Sequence, residues 1–528
     1  MAKILVTDSL ALQGLEILRS AKGIEVVEAV GLAPGDLLEV VTDADALIIR
    51  SGTKVTADVI EAGSRLSVVG RAGTGVDNVD LAAATARGIV VMNTPGGNTV
   101  TTAEHALALL ISLARHVPEA TASMKAGKWE KKRFVGVELN NRTLGLIGLG
   151  NVGRIVARKA QGWGMKVIAH DPFLSEAMAA KLDVELVVLD DLYERSDAIS
   201  VHVPRTKDTL GLLGREAFAK MKPGVLLVNA ARGGIVDEAA LVDALDAGRV
   251  TGAGLDVFAE EPVPPGNPLV EHERVICTPH LGASTEQAQV NVAIAVAQQV
   301  RDFLLYDVVH NAVNMPSISK ELATQIRPYL VLGEKLGRFQ GQLCSGAIER
   351  IEIEYSGDAA ELSVEPITVS VLKGLLGSLA EDVNMVNAPV IAKRHGIDVI
   401  ESKASRTADF ASAISIRVIG ADQRLIVGAV FQGEQPRIVR IDDFMLEAIP
   451  EGPTVFILNS DRPGIVGAVG TVLGEEGINI SRMQLALNSE RGEAAMLFNV
   501  EPAPEDRVIR RLQDHPHVLS ARLLELGS

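Results

Sequence analysis

The sequence predicts an α/β protein with a two-lobed core of doubly wound parallel sheets, followed by a mixed α+β unit and a small last unit. Three observations predict it. Over roughly the first 300 residues short β-branched runs alternate with helical patterns, which is typical of βα units and parallel sheets. A glycine-rich turn follows one of these strands directly. The length of 528 residues corresponds to three or four domains at about 150 residues each.

Composition and charge exclude several function classes. Hydrophobic residues make up 47% and charged residues 22%, which excludes a disordered chain. The 67 acidic against 51 basic residues leave a net charge of −16, which argues against nucleic acid as a general partner. Two cysteines, Cys277 and Cys344, are too few for a disulfide framework. No segment approaches the roughly 20 apolar residues of a membrane span, so we expect a cytoplasmic protein with no membrane partner.

The first lobe is predicted from its strands. These are Ile4 to Val6, Leu47 to Ile49, Val68 to Val69 and Ile89 to Val91. A glycine-rich break at residues 94–98 then leads into a long apolar helix from Thr101 to about Arg115. That helix joins the first lobe to the second.

The second lobe continues the same alternation. Its predicted strands are Leu144 to Ile147, Val167 to Ala169, Ala198 to Val201, Val225 to Val228, Gly254 to Val257 and Val275 to Cys277. A long helix from Ser284 to about Tyr306 carries the chain back to the first lobe. Two lobes joined by two helices leave a cleft between them, which is where such proteins bind ligands.

The pattern changes after Pro316. Residues 317–451 mix amphipathic helices with alternating strands such as Ile351 to Tyr355. Residues 452–528 have the pattern β-α-β-β-α-β, which is a ferredoxin-like order.

A dinucleotide signal follows the first strand of the second lobe. The run Gly148-Leu149-Gly150-Asn151-Val152-Gly153 is a G-x-G-x-x-G between a strand and a helix. Its glycines permit a tight turn, backbone approach to a pyrophosphate and close packing of helix on strand. The helix N-terminus offers free N–H groups to the phosphates. Asp171 lies 18 residues after Gly153 at the end of the next strand, where an acid binds a ribose diol and repels a 2′-phosphate. The pattern therefore predicts NAD as the cofactor, and no metal is expected.

Three polar residues follow other strand ends of the second lobe. Arg232, Glu261 and His280 each come shortly after a predicted strand, at the edge where open α/β sheets carry their chemistry. Oxidation of a 2-hydroxy acid needs a base for the hydroxyl proton, and histidine is suited to it. A carboxylate orients the imidazole, and an arginine binds the substrate carboxylate with two hydrogen bonds. Taken singly, each has another interpretation: a structural histidine, a solvated turn glutamate or a helix-capping arginine.

Residues 1–316 resemble the D-isomer-specific 2-hydroxyacid dehydrogenases, a family with a Rossmann NAD domain and a flavodoxin-like substrate domain. The order Arg232, Glu261, His280 after the glycine motif fits the family, as do residues 71–78 (RAGTGVDN) and 280–285 (HLGAST). The match is to the branch of this family whose substrate is 3-phosphoglycerate. The resemblance implies His280 as acid–base, Glu261 as its partner and Arg232 as the carboxylate-binding residue.

The same resemblance implies further contacts. Besides the glycine motif and Asp171, NAD-contact positions fall on Thr74, Asn151, Val152, Val203, Ala230 and Asp256. Arg50, Arg71 and Gly73 of the first lobe are expected to face the anionic substrate together with Arg232. Gly52 stands where some relatives carry a second arginine, which weakens the expected phosphate site. The run 131–133 (KKR) is either a solvated basic loop or a contribution to phosphate binding from a neighbouring subunit.

The C-terminal units carry their own resemblance. Residues 459–464 (NSDRPG) and 477–480 (GINI) are similar to an ACT domain, a small amino-acid-sensing module. This implies L-serine as an effector, bound by Asn459, Asp461 and Asn479 across a dimer of such domains. The alternative is an ACT fold that binds no ligand. Residues 317–451 resemble the intervening domain found in the long form of the same enzymes.

The resemblance implies NAD-dependent oxidation of 3-phosphoglycerate to 3-phosphohydroxypyruvate, in a serine-regulated homotetramer. Two alternatives stay open: a reductase for glyoxylate, hydroxypyruvate or another 2-oxo acid, and an NAD-sensing regulatory protein without turnover. The expected domains are a substrate domain at 1–97 and 286–316, an NAD-binding domain at 98–285, the intervening domain at 317–451 and the ACT regulatory domain at 452–528.

Overall fold

The computed structural model describes residues 1–316, 320–344, 346–380, 382–404, 412–432 and 434–527. Within these residues four sheets organise the chain, with five, seven, six and four strands. The first two sheets are parallel throughout, and the last is antiparallel. In the part of the chain described here, no helix is long and apolar enough to cross a membrane.

The first sheet has the strand order β2-β1-β3-β4-β5. Its elements are β1 (Ala2–Val6), α1 (Leu12–Arg19), β2 (Ile24–Glu28), α2 (Pro34–Val40), β3 (Ala46–Ile49), α3 (Ala57–Ala62), β4 (Val68–Arg71), α4 (Leu81–Ala86) and β5 (Val90–Met92). Separate apolar clusters cover the two faces of this sheet. Because both faces are buried, the strands other than the edge strand β2 are mainly apolar runs rather than alternating ones.

The second sheet has the order β12-β11-β10-β9-β6-β7-β8. Its region comprises α5 (Thr99–Arg115), α6 (Val117–Lys125), β6 (Thr143–Ile147), α7 (Asn151–Gly162), β7 (Lys166–His170), α8 (Glu176–Ala180), β8 (Glu185–Leu186), α9 (Leu189–Arg195), β9 (Ala198–Val201), α10 (Arg215–Lys220), β10 (Val225–Asn229), α11 (Glu238–Asp246), β11 (Val250–Leu255), α12 (Pro268–Glu271), β12 (Val275–Cys277) and α13 (Glu286–Tyr306). The strand order reverses between β6 and β9, and such a switch point opens a crevice at the carboxyl ends of the strands.

Helices α5 and α13 join the two lobes. α13 returns to the first lobe, where Val296 and Val300 are buried in the same apolar cluster as residues of β1, β3 and β4. The contact is close because Gly70 of β4 has no side chain: a Cβ there would lie 2.6 Å from Val300 Cγ2.

The third sheet is mixed, with the order β14-β13-β15-β16-β17-β18. Its unit contains α14 (Lys320–Leu343), β13 (Ile348–Gly357), α15 (Asp358–Glu361), α16 (Glu365–Leu376), α17 (Ala388–Arg394), β14 (Asp398–Ala404), β15 (Ser412–Gly420), β16 (Gln423–Phe431), β17 (Gln435–Ile441) and β18 (Phe444–Ala448). α14 and α16 pack backbone to backbone, since a Cβ at Gly337 would lie 2.2 Å from Val371 O.

The fourth unit has the predicted β-α-β-β-α-β order. It consists of β19 (Pro453–Ser460), α18 (Ile465–Glu475), β20 (Asn479–Asn488), β21 (Glu493–Glu501), α19 (Asp506–Gln513) and β22 (Val518–Glu525), with sheet order β20-β21-β19-β22. The side chain of Gln342 on α14 exchanges two hydrogen bonds with the backbone of Glu525, at 3.1 and 2.9 Å. The edge of this sheet is thereby paired with a side-chain amide of the preceding unit.

The predicted fold class is confirmed, with shifts at element ends. The strand predicted at Gly254 to Val257 runs instead over Val250–Leu255. The chain leaves the strand there because the side chain of Asp256 is drawn into hydrogen bonds with a neighbouring loop. Strand β2 was not predicted. Its short, partly charged sequence IEVVE lies at a sheet edge, where burial is incomplete.

Candidate active site

The glycine-rich turn lies at the switch point of the second sheet. Gly148 has a φ of 95°, and a Cβ there would lie 2.7 Å from His202 O at the end of β9. A Cβ at Gly153 would lie 2.2 Å from Gly148 O. A Cβ at Gly150 would point into open space. Two glycines therefore permit the turn and its packing, and the third leaves room for a ligand at the N-terminus of α7, as a dinucleotide pyrophosphate requires.

Asp171 ends the neighbouring strand β7 and holds this turn. Its Oδ2 accepts a hydrogen bond from Leu149 N at 2.9 Å, and its Oδ1 accepts one from Phe173 N at 3.0 Å. The carboxylate is thus fixed beside the glycine motif, which is where an acid contacts the ribose of a dinucleotide.

The other predicted cofactor positions lie around the same edge. Asn151 and Val152 are the first residues of α7. Val203 follows β9 beside Gly148, and Ala230 follows β10. Thr74 belongs to the first lobe and donates to Asn98 Oδ1 at 2.7 Å, at the start of α5.

His280 and Glu261 form a hydrogen-bonded pair. His280 Nδ1 lies 2.7 Å from Glu261 Oε2, and Glu261 Oε1 accepts from Phe258 N at 2.9 Å. Since Nδ1 faces a carboxylate, the network assigns the proton to Nδ1 and leaves Nε2 as the acceptor. The hydrogen bond that His280 donates to Glu261 raises the pKa of His280 above its usual value. Burial alone would raise the pKa of Glu261, but the bonds from His280 and Phe258 lower it. Such a pair can take up and release a proton.

Arg232 reaches across the cleft from the second lobe. Its Nε donates to Asp77 Oδ2 of the first lobe at 2.8 Å, and its Nη1 donates to Ala231 O at 2.7 Å. A Cβ at Gly75 would lie 1.7 Å from Arg232 Nη2, so only glycine leaves space for this guanidinium. Asp77 was part of the motif noted in the sequence, but its pairing with Arg232 was not predicted.

Arg71 is a half-buried cation at the end of β4. Burial, and next the charge of Arg232, lower its pKa to about 10, and Arg50 acts in the same direction. Its Nε is buried and has no hydrogen-bond partner in the described residues. A Cβ at Gly73 would lie 1.6 Å from Arg71 Nη1. The structure therefore places Arg50 and Arg232 close enough to Arg71 for their charges to repel its guanidinium. A polyanionic ligand would relieve that repulsion.

The surroundings of Arg50 are built by Asp8. Asp8 Oδ2 accepts from the backbone N–H groups of Arg50 and Thr53 at 2.6 and 3.1 Å, and the Arg50 guanidinium donates to Ser9 O at 3.1 Å. A Cβ at Gly52 would lie 2.5 Å from Asp8 Oδ1. An arginine at this position would have to displace Asp8, which accounts for glycine here.

The basic run 131–133 lies elsewhere in this chain. Arg133 pairs with Glu130 at 3.5 Å and lines a cavity of about 790 Å³ together with Lys222 and Arg274. Those last two residues precede β10 and β12, so the cavity is at the amino ends of the strands, opposite the catalytic edge. A contribution of this run to the substrate site would have to come from another subunit.

The ACT candidates do not meet within one chain. Asn459 pairs with Ala494 at one end of β21, whereas Asn479 pairs with Glu501 at the other end. The separation along β21 is seven residues (501 − 494), or roughly 23 Å at about 3.3 Å per residue. Asp461 and Asn479 are exposed, whereas Asn459 is 2% exposed and its Oδ1 is buried without a hydrogen-bond partner.

Three family models match the chain in order. The model for the D-isomer specific 2-hydroxyacid dehydrogenase NAD binding domain matches residues 107–282. The D-3-phosphoglycerate dehydrogenase intervening domain matches residues 325–442, and the ACT domain matches residues 454–517. These matches confirm the predicted NAD cofactor and the predicted ACT fold.

Full-length relatives agree with the family models. The chain is 44% identical over 509 residues to D-3-phosphoglycerate dehydrogenase from Synechocystis sp., covering 96% of this chain and 91% of the relative. It is 43% identical to D-3-phosphoglycerate dehydrogenase from Methanocaldococcus jannaschii, covering 100% of both chains. Among solved structures, NAD+-bound 3-phosphoglycerate dehydrogenase from Entamoeba histolytica is 32% identical with a TM-score of 0.51, covering 59% of this chain and 98% of that one. The chain therefore belongs to the D-3-phosphoglycerate dehydrogenase family of D-isomer-specific 2-hydroxyacid dehydrogenases.

Proposed function

We propose that this chain oxidises 3-phosphoglycerate to 3-phosphohydroxypyruvate with NAD, the first step of the phosphorylated route to L-serine. The observation that carries the proposal is the convergence of Arg50, Arg71 and Arg232 beside the His280–Glu261 pair, in a protein of net charge −16. 3-Phosphoglycerate has a carboxylate next to its C2 hydroxyl and a phosphate at C3, so it requires cations on both sides of the reacting carbon. Relatives at 41–44% identity are named D-3-phosphoglycerate dehydrogenase.

The residues divide the chemistry among them. Bound NAD supplies the hydride acceptor for C2. His280 Nε2 accepts the proton of the C2 hydroxyl, and Glu261 stabilises the imidazolium that forms. Arg232 binds the substrate carboxylate and polarises the C2 oxygen. Arg71 and Arg50 bind the phosphate, and the desolvation of Arg71 strengthens its attraction for an anion.

The test is NADH formation by the purified protein with NAD and 3-phosphoglycerate, with hydrazine to trap the product. Turnover supports the proposal. An Arg50→Ala variant should lose far more activity with 3-phosphoglycerate than with glyoxylate, because glyoxylate has no phosphate. Reduction of glyoxylate without oxidation of 3-phosphoglycerate would replace the proposed substrate by a smaller 2-oxo acid. A protein that binds NAD but turns over neither would be a sensor instead.

Regulation and assembly are part of the same proposal. L-serine would bind between two ACT domains, with Asp461 from one and Asn479 from the other, in a cytoplasmic homotetramer. The support is the exposure of both residues and their positions at opposite ends of β21, since Asp461 N bonds Gly492 O whereas Asn479 pairs with Glu501. We expect L-serine to inhibit the wild type and to lose this effect in Asp461→Ala. Asp506 is an exposed acid at the start of α19, and Asp506→Ala should still be inhibited. The proposed domains are a substrate domain at 1–97 and 286–316, an NAD-binding domain at 98–285, an intervening domain at 317–451 and an ACT regulatory domain at 452–528.

A further inference from the structure

The loop that carries His280 is held by one residue of the neighbouring strand. His280 has a left-handed backbone, with a φ of 54°. Its N–H donates to Asp256 O at 2.9 Å, and the next two N–H groups, of Leu281 and Gly282, donate to Asp256 Oδ1 at 2.7 Å and Oδ2 at 2.8 Å. Three consecutive backbone N–H groups thus donate hydrogen bonds to Asp256. Since a non-glycine residue rarely adopts positive φ unaided, these bonds fix the conformation from which the imidazole projects.

Asp256 is itself held from the interlobe helix. Its side chain is 0% exposed, and its Oδ1 also accepts the hydroxyl proton of Thr278 at 2.6 Å. His105 Nε2, on α5, lies 3.1 Å from Asp256 Oδ1 and 2.9 Å from Thr278 Oγ1. Because the Thr278 hydroxyl donates its proton to Asp256, Thr278 Oγ1 and Asp256 Oδ1 can only accept a hydrogen bond from the imidazole. His105 therefore donates Nε2–H to the pair.

The same helix makes further bonds to the loop. Thr102 Oγ1 donates to Gly282 O at 3.0 Å, and Thr101 Oγ1 lies 3.1 Å from Thr285 Oγ1. Residues 101, 102 and 105 share one side of α5. One side of the helix that joins the lobes is therefore bonded to the loop that carries the base.

We propose that His105 is a positioning residue for His280: its Nε2–H bond to Asp256 and Thr278 holds the loop of residues 278–282 in its reactive conformation. His105 touches neither substrate nor cofactor in this role. The inference rests on the proposed function in that His280 is the base of the reaction. A displacement of a catalytic group by about 1 Å can cost about 100-fold in rate.

Two variants separate the hydrogen bond from the bulk of the side chain. His105→Leu keeps an apolar side chain of similar size and removes the donor. His105→Gln places an amide nitrogen as many bonds from Cβ as Nε2 is. His272→Leu is the matched control, because His272 Nε2 is 3.4 Å from Asp246 Oδ1 and the side chain is 14% exposed, compared with 19% for His105.

We expect kcat to fall about 10-fold to 100-fold in His105→Leu and to recover largely in His105→Gln. The KM for NAD should change by less than about threefold. The deuterium isotope effect on kcat with substrate labelled at C2 should rise in His105→Leu, because the chemical step becomes slower than product release. Loss of folded enzyme alone would lower kcat and leave that isotope effect unchanged. Equal impairment of both His105 variants, or a His105→Leu enzyme with the wild-type kcat and isotope effect, would overturn the proposal.

Amide hydrogen exchange gives a readout that needs no substrate. In His105→Leu the amides of Leu281 and Gly282 should exchange faster than in the wild type, while His105→Gln and His272→Leu should match it. If the wild type fails to oxidise 3-phosphoglycerate, the proposed substrate is wrong, and the kinetic measurements move to the 2-oxo acid that it reduces. Unchanged exchange in His105→Leu would show that His105 does not hold the loop, whatever the substrate.

Discussion

The pKa of His280 is set chiefly by one carboxylate. The hydrogen bond that His280 donates to Glu261 raises this pKa, and burial opposes that rise. A base must be neutral to accept the hydroxyl proton, so kcat/KM for oxidation increases with pH through the pKa of the free enzyme. In Glu261→Gln that pKa falls, so the rising limb should move to lower pH.

The same variant should have a plateau kcat lower by about 100-fold, because the imidazolium loses its counter-charge. Reduction of the 2-oxo acid needs protonated His280, so its falling limb should move to lower pH as well. Steady-state pH profiles in both directions measure this. Limbs that stay in place would show that Glu261 does not control this proton.

Gly73 permits the position of the Arg71 guanidinium. Its φ is 151°, and a Cβ there would lie 1.6 Å from Arg71 Nη1. Gly73→Ala should therefore displace this cation and raise the KM for 3-phosphoglycerate by about 10-fold or more, since an ionic hydrogen bond contributes about 1.5–3 kcal/mol. Gly31→Ala is the control: Gly31 has a φ of 77°, but its Cβ would meet open space. It should lower the melting temperature and leave KM unchanged. Equal KM values in the two variants would contradict the expectation.

At the scale of the elements, local patterns predicted most of the fold. The βα alternation and the glycine turn depend on neighbours within about 20 residues, so they can be recognised along the sequence. The pairing of Arg232 with Asp77 and that of His105 with Asp256 join residues 155 and 151 positions apart. No periodicity encodes such contacts. The assignment of Asp256 to the cofactor rests on family resemblance and stays a prediction, and the bonds of its buried carboxylate to the loop that carries His280 were not predicted.

The β6–turn–α7 unit links cofactor choice to turn geometry through Asp171, which follows the neighbouring strand β7. Its carboxylate accepts from Leu149 N, and its charge should exclude a 2′-phosphate. Asp171→Asn keeps an oxygen for Leu149 N and removes the charge. We expect the ratio of kcat/KM for NADP to that for NAD to rise about 10-fold or more. Asp183 is an acid on the turn before β8, and the control variant Asp183→Asn should leave the ratio unchanged. An unaltered ratio in Asp171→Asn would mean that shape, not charge, rejects NADP.

At the scale of the whole molecule, the intervening unit is attached to the first lobe by a short segment before α17. Val386 is 4% exposed and lies in the apolar cluster of the first sheet. Asn384 Nδ2 donates to Gly88 O at 2.9 Å, just before β5. On the other side of the unit, Lys335 of α14 donates to Pro450 O at 2.7 Å, at the entry to the ACT unit. The ACT unit is therefore connected through packed elements to the lobe that carries Arg71.

This connection predicts what Val386→Ser does. Replacing a buried valine of the shared cluster removes about 1.5–3 kcal/mol of burial free energy. The loss weakens the contact between the two units rather than either core alone. Amides of residues 88–92 should exchange faster, and the radius of gyration from X-ray scattering should increase. Leu379→Ser, at a residue that is 51% exposed, should change neither. Where L-serine inhibits the wild type, Val386→Ser should need more serine for the same inhibition, because two sites are coupled only through a shared two-state element. An unchanged serine response together with faster exchange would mean that the effect of serine travels between subunits and not through this segment.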